Sequence, residues 1–275
     1  MIKRIAIAVF AYQRPSHLKR VMMSIENSKI GNDIYLFIDG PKNKKDKLNQ
    51  KYIRLQSENF KNKNKFKIIQ RSKNLGLAKS ILYGVTILSK KYDAVIVLED
   101  DTVPYKDFFP YMIYCLKNFS KENQIGAICS YQFSDFTNFK NNKFILLNNF
   151  ITWGWGIESK KWIQFINFKN NKLKKLSLKK TIYKKVINKT SFKKNIWSLD
   201  FIKYNYFKKK KFIFPSNSLI KNIGFDGTGT NSKYSDKLIV KNEKKKISFK
   251  KKYLIDLKLQ KKQQKKLNNL INLFY

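Results

Sequence analysis

Three carboxylates stand side by side at Glu99-Asp100-Asp101, directly after the apolar run Ala94–Leu98. Adjacent carboxylates repel one another, so the triplet calls for a positive neighbour. The chain has one histidine, His17, and two cysteines, Cys115 and Cys129, which argues against a His- or Cys-based metal site and against a Ser-His-Asp triad. Any chemistry therefore rests on carboxylates. Oxygen-only ligands suit a hard ion, Mg²⁺ or Mn²⁺, that keeps open positions for phosphate oxygens. Such an ion would bridge a diphosphate and stabilise the charge that builds up as it leaves. The competing reading is a plain acidic turn, and the position of the triplet after a buried strand weighs against it. Strand alternation would aim Glu99 and Asp101 to one side and Asp100 to the other, unless the pattern breaks at the strand end.

The elements that must carry the triplet alternate in kind. Lys3–Ala11 reads as a buried strand, and Leu18, Val21, Met22 and Ile25 fall at helical spacing after Pro15. Ile34–Ile38 is a second strand ending at the turn signal Asp39-Gly40-Pro41, and Lys44–Glu58 is a polar helix. Phe66–Gln70 is a third strand, followed by a helix through Leu77, Ile81, Leu82, Val85 and Leu88. Ala94–Leu98 and Ile125–Ser130 are further strands, Trp197–Phe207 a helix, and Phe212–Pro215 a strand before the glycine-rich loop Gly224–Thr230. This order predicts an α/β fold, a mostly parallel sheet flanked by helices with right-handed crossovers. Ligands of such sheets bind beyond the carboxyl ends of the strands. Those ends carry Tyr12-Gln13-Arg14, Asp39-Gly40, Arg71 to Asn74 and the acidic triplet.

The 275 residues carry a net charge of +41. All five arginines precede residue 72, and Lys, Asn, Ile, Phe and Tyr are abundant together, as AT-rich codon bias produces. The functional reading of the charge is attraction to phosphate-rich partners, whether nucleotides, anionic membrane or nucleic acid. The excess is +12 in residues 1–110 and +29 in 111–275, so acidic residues in the first part stand out. Cys115 and Cys129 sit among apolar residues and read as buried free thiols of a reducing compartment. No apolar run spans a bilayer and no cleavage site follows residues 1–11, so a cytoplasmic protein is expected, at most associated with the inner face of the membrane.

Val97-Leu98-Glu99-Asp100-Asp101-Thr102-Val103-Pro104, followed by Phe108-Phe109, resembles the acidic metal-binding motif of A-fold (family 2-like) nucleotide-sugar glycosyltransferases. The likeness is to the N-acetylglucosaminyltransferase I type and to bacterial hemolysin-like glycosyltransferases. Phe10–Pro15, Ile38-Asp39-Gly40, Asn74–Ala78, Trp153-Gly154-Trp155-Gly156 and Asn222–Thr230 match in the same order. The resemblance implies a glycosyltransferase A-type, Rossmann-like fold, with a donor-binding subdomain expected at 1–130 and an acceptor-binding and catalytic subdomain at 131–240; by composition a basic helical tail follows at 241–275. It implies that Arg14 and Asp39 contact the base and ribose of the donor, that Asp101 ligates Mn²⁺ or Mg²⁺, and that Glu99 and Asp100 hold ribose or metal-bound water. Trp153 and Gly154 would shape the sugar and acceptor cleft. UDP-sugar is the default donor and a glycan or lipid-linked molecule the acceptor.

Inversion at the anomeric carbon, as in similar enzymes, needs a carboxylate base. Asp135, Glu158, Asp200, Asp226 and Asp236 are the candidates in the second half, and Asp200 stands where the likeness places the base. Asp200 also suits the first turn of a helix by charge alone, and Asp226 reads as a loop former. His17 is expected at the surface or as a cap. The basic tail is either solvated or a helix on anionic lipid with Phe249, Tyr253, Leu257, Leu267 and Leu270 inward. A sugar-phosphate nucleotidyltransferase would need a glycine-rich loop where Tyr12-Gln13-Arg14-Pro15-Ser16 stands. A nucleic-acid-binding protein and a non-catalytic nucleotide-sugar binder are the other rivals.

Overall fold

The computed structural model describes residues 2–60, 66–119, 121–132, 144–171 and 197–228. The lysine-rich stretch after residue 171, Asp135, Asp236, the end of the 224–230 loop and the basic tail lie outside the described residues. The strands are β1 (Ile5–Ala11), β2 (Asp33–Ile38), β3 (Phe66–Gln70), β4 (Ala94–Glu99), β5 (Thr102–Pro104), β6 (Ile125–Cys129), β7 (Ile145–Leu147), β8 (Trp155–Glu158), β9 (Lys211–Phe214) and β10 (Ile220–Asn222). The helices are α1 (Pro15–Asn27), α2 (Lys44–Glu58), α3 (Leu77–Ser89), α4 (Phe108–Phe119), α5 (Ser159–Asn171) and α6 (Trp197–Phe207).

The expected α/β architecture is present. Eight strands form one sheet in the order β3-β2-β1-β4-β8-β6-β9-β7, and β10 and β5 form a separate ribbon. The first four strands in that order are parallel, as is the β6–β9 pair. β8 runs antiparallel between β4 and β6, and β7 antiparallel along β9. The sequence reading placed no strand at β7 or β8 and no helix at α4. β8 is four residues of a Trp- and Gly-rich run, too short for its period to stand out from the sequence alone.

Alternation along the strands divides the core into two faces. Ala6, Ala8 and Phe10 of β1 and Val95 and Val97 of β4 face α3, α5 and α6, where Trp155, Trp162, Trp197 and Phe201 form a buried aromatic cluster. Ile5, Ile7 and Val9, with Ala94, Ile96 and Leu98, face α1 and α4. Apolar residues on both faces of a strand give the near-continuous runs that marked β1 and β4 in the sequence. Both cysteines are buried free thiols whose ionisation burial disfavours.

At the amino edge of the sheet, the buried Lys161 ammonium donates to the carbonyls of Glu122 and Ile125, 2.8 and 2.6 Å away. Burial pulls its pKa down to about 8, against the pull of Glu158 in the other direction. In the unfolded chain a lysine titrates near 10.4. Between these values the unfolded state holds the extra proton, so folding stability contributed by Lys161 rises with pH across that window. The denaturant midpoint of the wild type relative to that of Lys161→Met, measured from about pH 7 to 10, will shift in the wild type's favour as pH rises. A constant difference would contradict the depressed pKa.

Candidate active site

β1 and β4 are neighbours in parallel register, with Phe10 opposite Glu99, so the residues that follow each strand meet beyond the sheet. Arg14, at the start of α1, thereby reaches the acidic triplet. Its Nη2 bonds Asp100 Oδ1 and lies 2.8 Å from Asp101 Oδ2. The second oxygen of Asp100 accepts from the Tyr12 amide at 3.2 Å. The positive neighbour that the triplet requires is thus Arg14. Asp100 and Asp101 share this one guanidinium, so strand alternation does not carry past Glu99; residues 100 and 101 lie in a turn. Thr102, fully buried, closes that turn by accepting from the Glu99 amide and donating to its carbonyl.

Charge and burial act together here. Burial, with the charges of Asp101 and Asp100 nearby, pushes the Glu99 carboxyl well above the usual range. Burial also raises Asp100, held to about 6 by the opposing pull of Arg14. Burial lowers and the two aspartates raise the Arg14 pKa, and the aspartates prevail.

A second segment closes over the triplet. β10 pairs antiparallel with β5, Asn222 opposite Thr102, and the Ile223 amide donates to the Asp101 carbonyl at 2.9 Å. The Gly224 backbone then passes so near the Asp101 carboxylate that any side chain at 224 would overlap its Oδ2. Two residues on, Asp226 Oδ2 is 3.0 Å from His17 Nε2, and its Oδ1 accepts from the amide and hydroxyl of Thr228. Asp226 orders the loop as expected. His17 differs from expectation: it is buried on α1 and pinned to the loop rather than sitting free at the surface.

Other sequence candidates take distinct places. Both Asp39 oxygens are engaged by backbone amides: Gly40 and Leu75 at 3.0 Å on Oδ1, Gly76 at 2.8 Å on Oδ2. Asp39 therefore shapes the loop before α3. Trp153 packs edge-on between Tyr131 and Phe225, and Gly154 adopts φ +68 where a Cβ would come 2.7 Å from the Ile220 side chain. Both sit where β8 begins, at the carboxyl edge of β4. Asp200 is in the first turn of α6 and pairs with Lys169 of α5. Among the described residues no hydrogen bond or ion pair joins Asp200 to the triplet; Trp197, the first residue of α6, packs on Trp155, where β8 begins, with ring centroids 5.4 Å apart. Glu158 pairs opposite Ala94 at the far edge of the sheet, which removes it as a base for this site. The short pair between Tyr12 and Asp46 escaped sequence reading, because nothing local links a loop tyrosine to a helix aspartate.

An all-oxygen donor set fits a hard cation, and one buried atom is suited to it. Asp101 Oδ1 has no partner, while Oδ2 is held by Arg14. Among the described residues no three His, Cys, Asp or Glu side chains are grouped so as to hold a metal ion between them. A cation here would have one protein carboxylate and fill its remaining positions from phosphate oxygens and water, a common arrangement for Mg²⁺.

Residues 6–195 match the glycosyl transferase family 2 profile, and the chain belongs to that family. No curated protein matches it at a significant level. Among solved structures, 4-diphosphocytidyl-2C-methyl-D-erythritol synthase from Anaerococcus prevotii is 14% identical, covering 78% of this chain and 91% of that one, with a TM-score of 0.43. The galactosyltransferase LgtC, in complex with donor and acceptor sugar analogues, is 12% identical over 76% and 72%, TM-score 0.41. Glucosyl-3-phosphoglycerate synthase from Mycobacterium tuberculosis, in complex with Mn²⁺, UDP and phosphoglyceric acid, is 9% identical over 62% and 65%, TM-score 0.38. At these values the likenesses are loose.

Removing the guanidinium leaves a buried carboxylate facing another. Arg14→Ala is expected to cost about 3–5 kcal/mol in urea unfolding at pH 7, the range for breaking a buried ion pair. A loss below about 1 kcal/mol, typical of exposed pairs, would show that Arg14 does not neutralise the triplet.

Proposed function

We propose that the protein transfers a sugar from a nucleotide-diphosphate donor to an acceptor hydroxyl with inversion, using the site built on Arg14, Glu99, Asp100 and Asp101. The observation that carries this reading is the carboxylate triplet beyond a parallel β-strand, neutralised by Arg14 and roofed by Gly224, in a family 2 chain. Mn²⁺ or Mg²⁺ would be held by Asp101 through its free oxygen. When bound, the ion supplies charge neutralisation for the diphosphate leaving group.

The chain's own residues do the rest. Arg14 and Asp100 orient Asp101 and fix the loop after β1, against which the donor's nucleotide would lie. Asp39 contributes through the backbone it arranges, with Gly40 and residues 74–76 available to ribose and base. Trp153 and Gly154 shape the cleft in which the sugar and acceptor meet. Asp200 is the proposed base: it takes the acceptor hydroxyl proton as that oxygen bonds to the anomeric carbon and the bond to the diphosphate breaks on the opposite face. Lys169 orients Asp200. UDP-hexoses or UDP-N-acetylhexosamines are the proposed donors, and a glycan or lipid-linked molecule the acceptor.

The test is release of nucleoside diphosphate from a panel of UDP- and GDP-sugars with Mn²⁺, with water or an added glycan as acceptor. Asp200→Asn should lower kcat by about 10²–10⁴-fold and leave the donor KM near that of the wild type. An unchanged kcat removes Asp200 as the base. Donor binding without turnover in the wild type would favour the non-catalytic binder.

A further inference from the structure

α2 buries the wrong face for a soluble helix. Its inward residues are Asp46, Gln50, Ile53 and Ser57, three of them polar. These make fixed bonds: Asp46 accepts from Tyr12 Oη and the Lys42 amide, and Gln50 Nε2 donates to the Asp39 carbonyl at 2.8 Å. The apolar residues Leu48, Tyr52 and Leu55 point outward, each half or more exposed at 52%, 55% and 50%. At about 100° per residue they lie within roughly 60° of arc, almost opposite the buried face. Three large apolar side chains in one exposed stripe mark an interaction surface rather than scattered exposure.

The charges around the stripe say what it meets. Lys44, Lys45 and Lys51 flank it, and all are exposed. Glu58, the acidic residue on the exposed surface of α2, is already paired with Arg54 at 2.9 Å. Leucine and tyrosine between lysines, on a helix parallel to the surface, is the composition of an interfacial amphipathic helix. DNA or RNA would use the lysines and leave Leu48 and Leu55 against water. Among the described residues no helix is long and apolar enough to cross a membrane, so contact through this face would be peripheral.

We propose that the outward face of α2 is a membrane-contact surface, seating Leu48, Tyr52 and Leu55 in the headgroup layer of anionic lipid. The proposal does not depend on the sugar-transfer reading. It has a consequence for the site, because Asp46, on the opposite side of the same helix, bonds the loop whose Tyr12 amide holds Asp100. The carboxyl edge of the sheet would then open beside the lipid surface.

The test uses the full chain carrying an environment-sensitive fluorophore on Leu55→Cys; the two native thiols are buried. The expected result is a blue shift with phosphatidylglycerol-containing vesicles, and none with phosphatidylcholine vesicles or duplex DNA. A Leu48→Ser/Tyr52→Ser variant keeps its charge and should lose about tenfold in vesicle affinity at about 0.3 M NaCl, where screening leaves the apolar contribution exposed. Five results would overturn the proposal. The probe stays silent while the protein sediments with vesicles, which assigns binding to another basic surface. The probe shifts with DNA, or equally with neutral vesicles. The probe is already blue in protein alone, which assigns the stripe to a second copy or to the chain itself. The double variant binds vesicles as tightly as the wild type.

Discussion

The arrangement depends on neutralising three adjacent carboxylates at the end of a buried strand. Like charges this close, with Asp100 almost fully buried, are tolerated only against a compensating cation. Arg14 can supply it because β1 and β4 are nearest neighbours in parallel register, which brings the residues after Ala11 beside those after Leu98. The pairing is costly to form and costlier to break, and other features follow from it. The Tyr12 amide faces Asp100, Thr102 closes the turn, and the β5–β10 ribbon returns the chain so that glycine alone fits at 224. Asp101 is left with one oxygen fixed and one free, an asymmetry suited to adding one more positive charge when phosphate arrives.

Around this centre the loops are set by side chains bonding backbone. Asp39 holds the approach to α3, Asn74 donates to the Gly40 carbonyl at 2.8 Å, and Gln50 reaches the Asp39 carbonyl. Polar groups that would compete with regular structure in a helix or strand interior are here the fasteners of the carboxyl edge. The same demand explains α2. A helix whose inner face must serve these loops cannot use that face for apolar burial, and its leucines and tyrosine are left outside.

Much of the first half was legible in the sequence because its signals are local. The β1 and β4 runs are buried on both faces, α1 and α3 carry apolar residues at helical spacing, and Asp39-Gly40 marks a turn. The acidic triplet could be placed at the carboxyl edge from strand order alone. What stayed hidden is non-local. The insertion of β8 between β4 and β6, antiparallel to both, depends on pairing over sixty residues of chain, which periodicity does not report. His17 reads as a lone polar residue beside a helix start; its partner Asp226 is brought there only by the β5–β10 pairing. Asp39 carries the residue type expected of a ribose contact, yet its oxygens are used by amides of residues 40, 75 and 76. Asp200 was singled out by the family likeness, while its place in a first helical turn has an explanation in charge alone; its partner Lys169, thirty-one residues earlier, has no local signal.

The central claim is that the free oxygen of Asp101 and the loops around it form a metal-assisted nucleotide site. Calorimetric titration of the purified protein with UDP and with GDP, with and without Mn²⁺ and alongside Asp101→Ala, tests it most directly. The account predicts binding of one nucleotide that requires Mn²⁺ and disappears in Asp101→Ala. Folded protein that binds neither nucleotide at millimolar concentration with Mn²⁺ present, or binds equally well after Asp101→Ala, would contradict it.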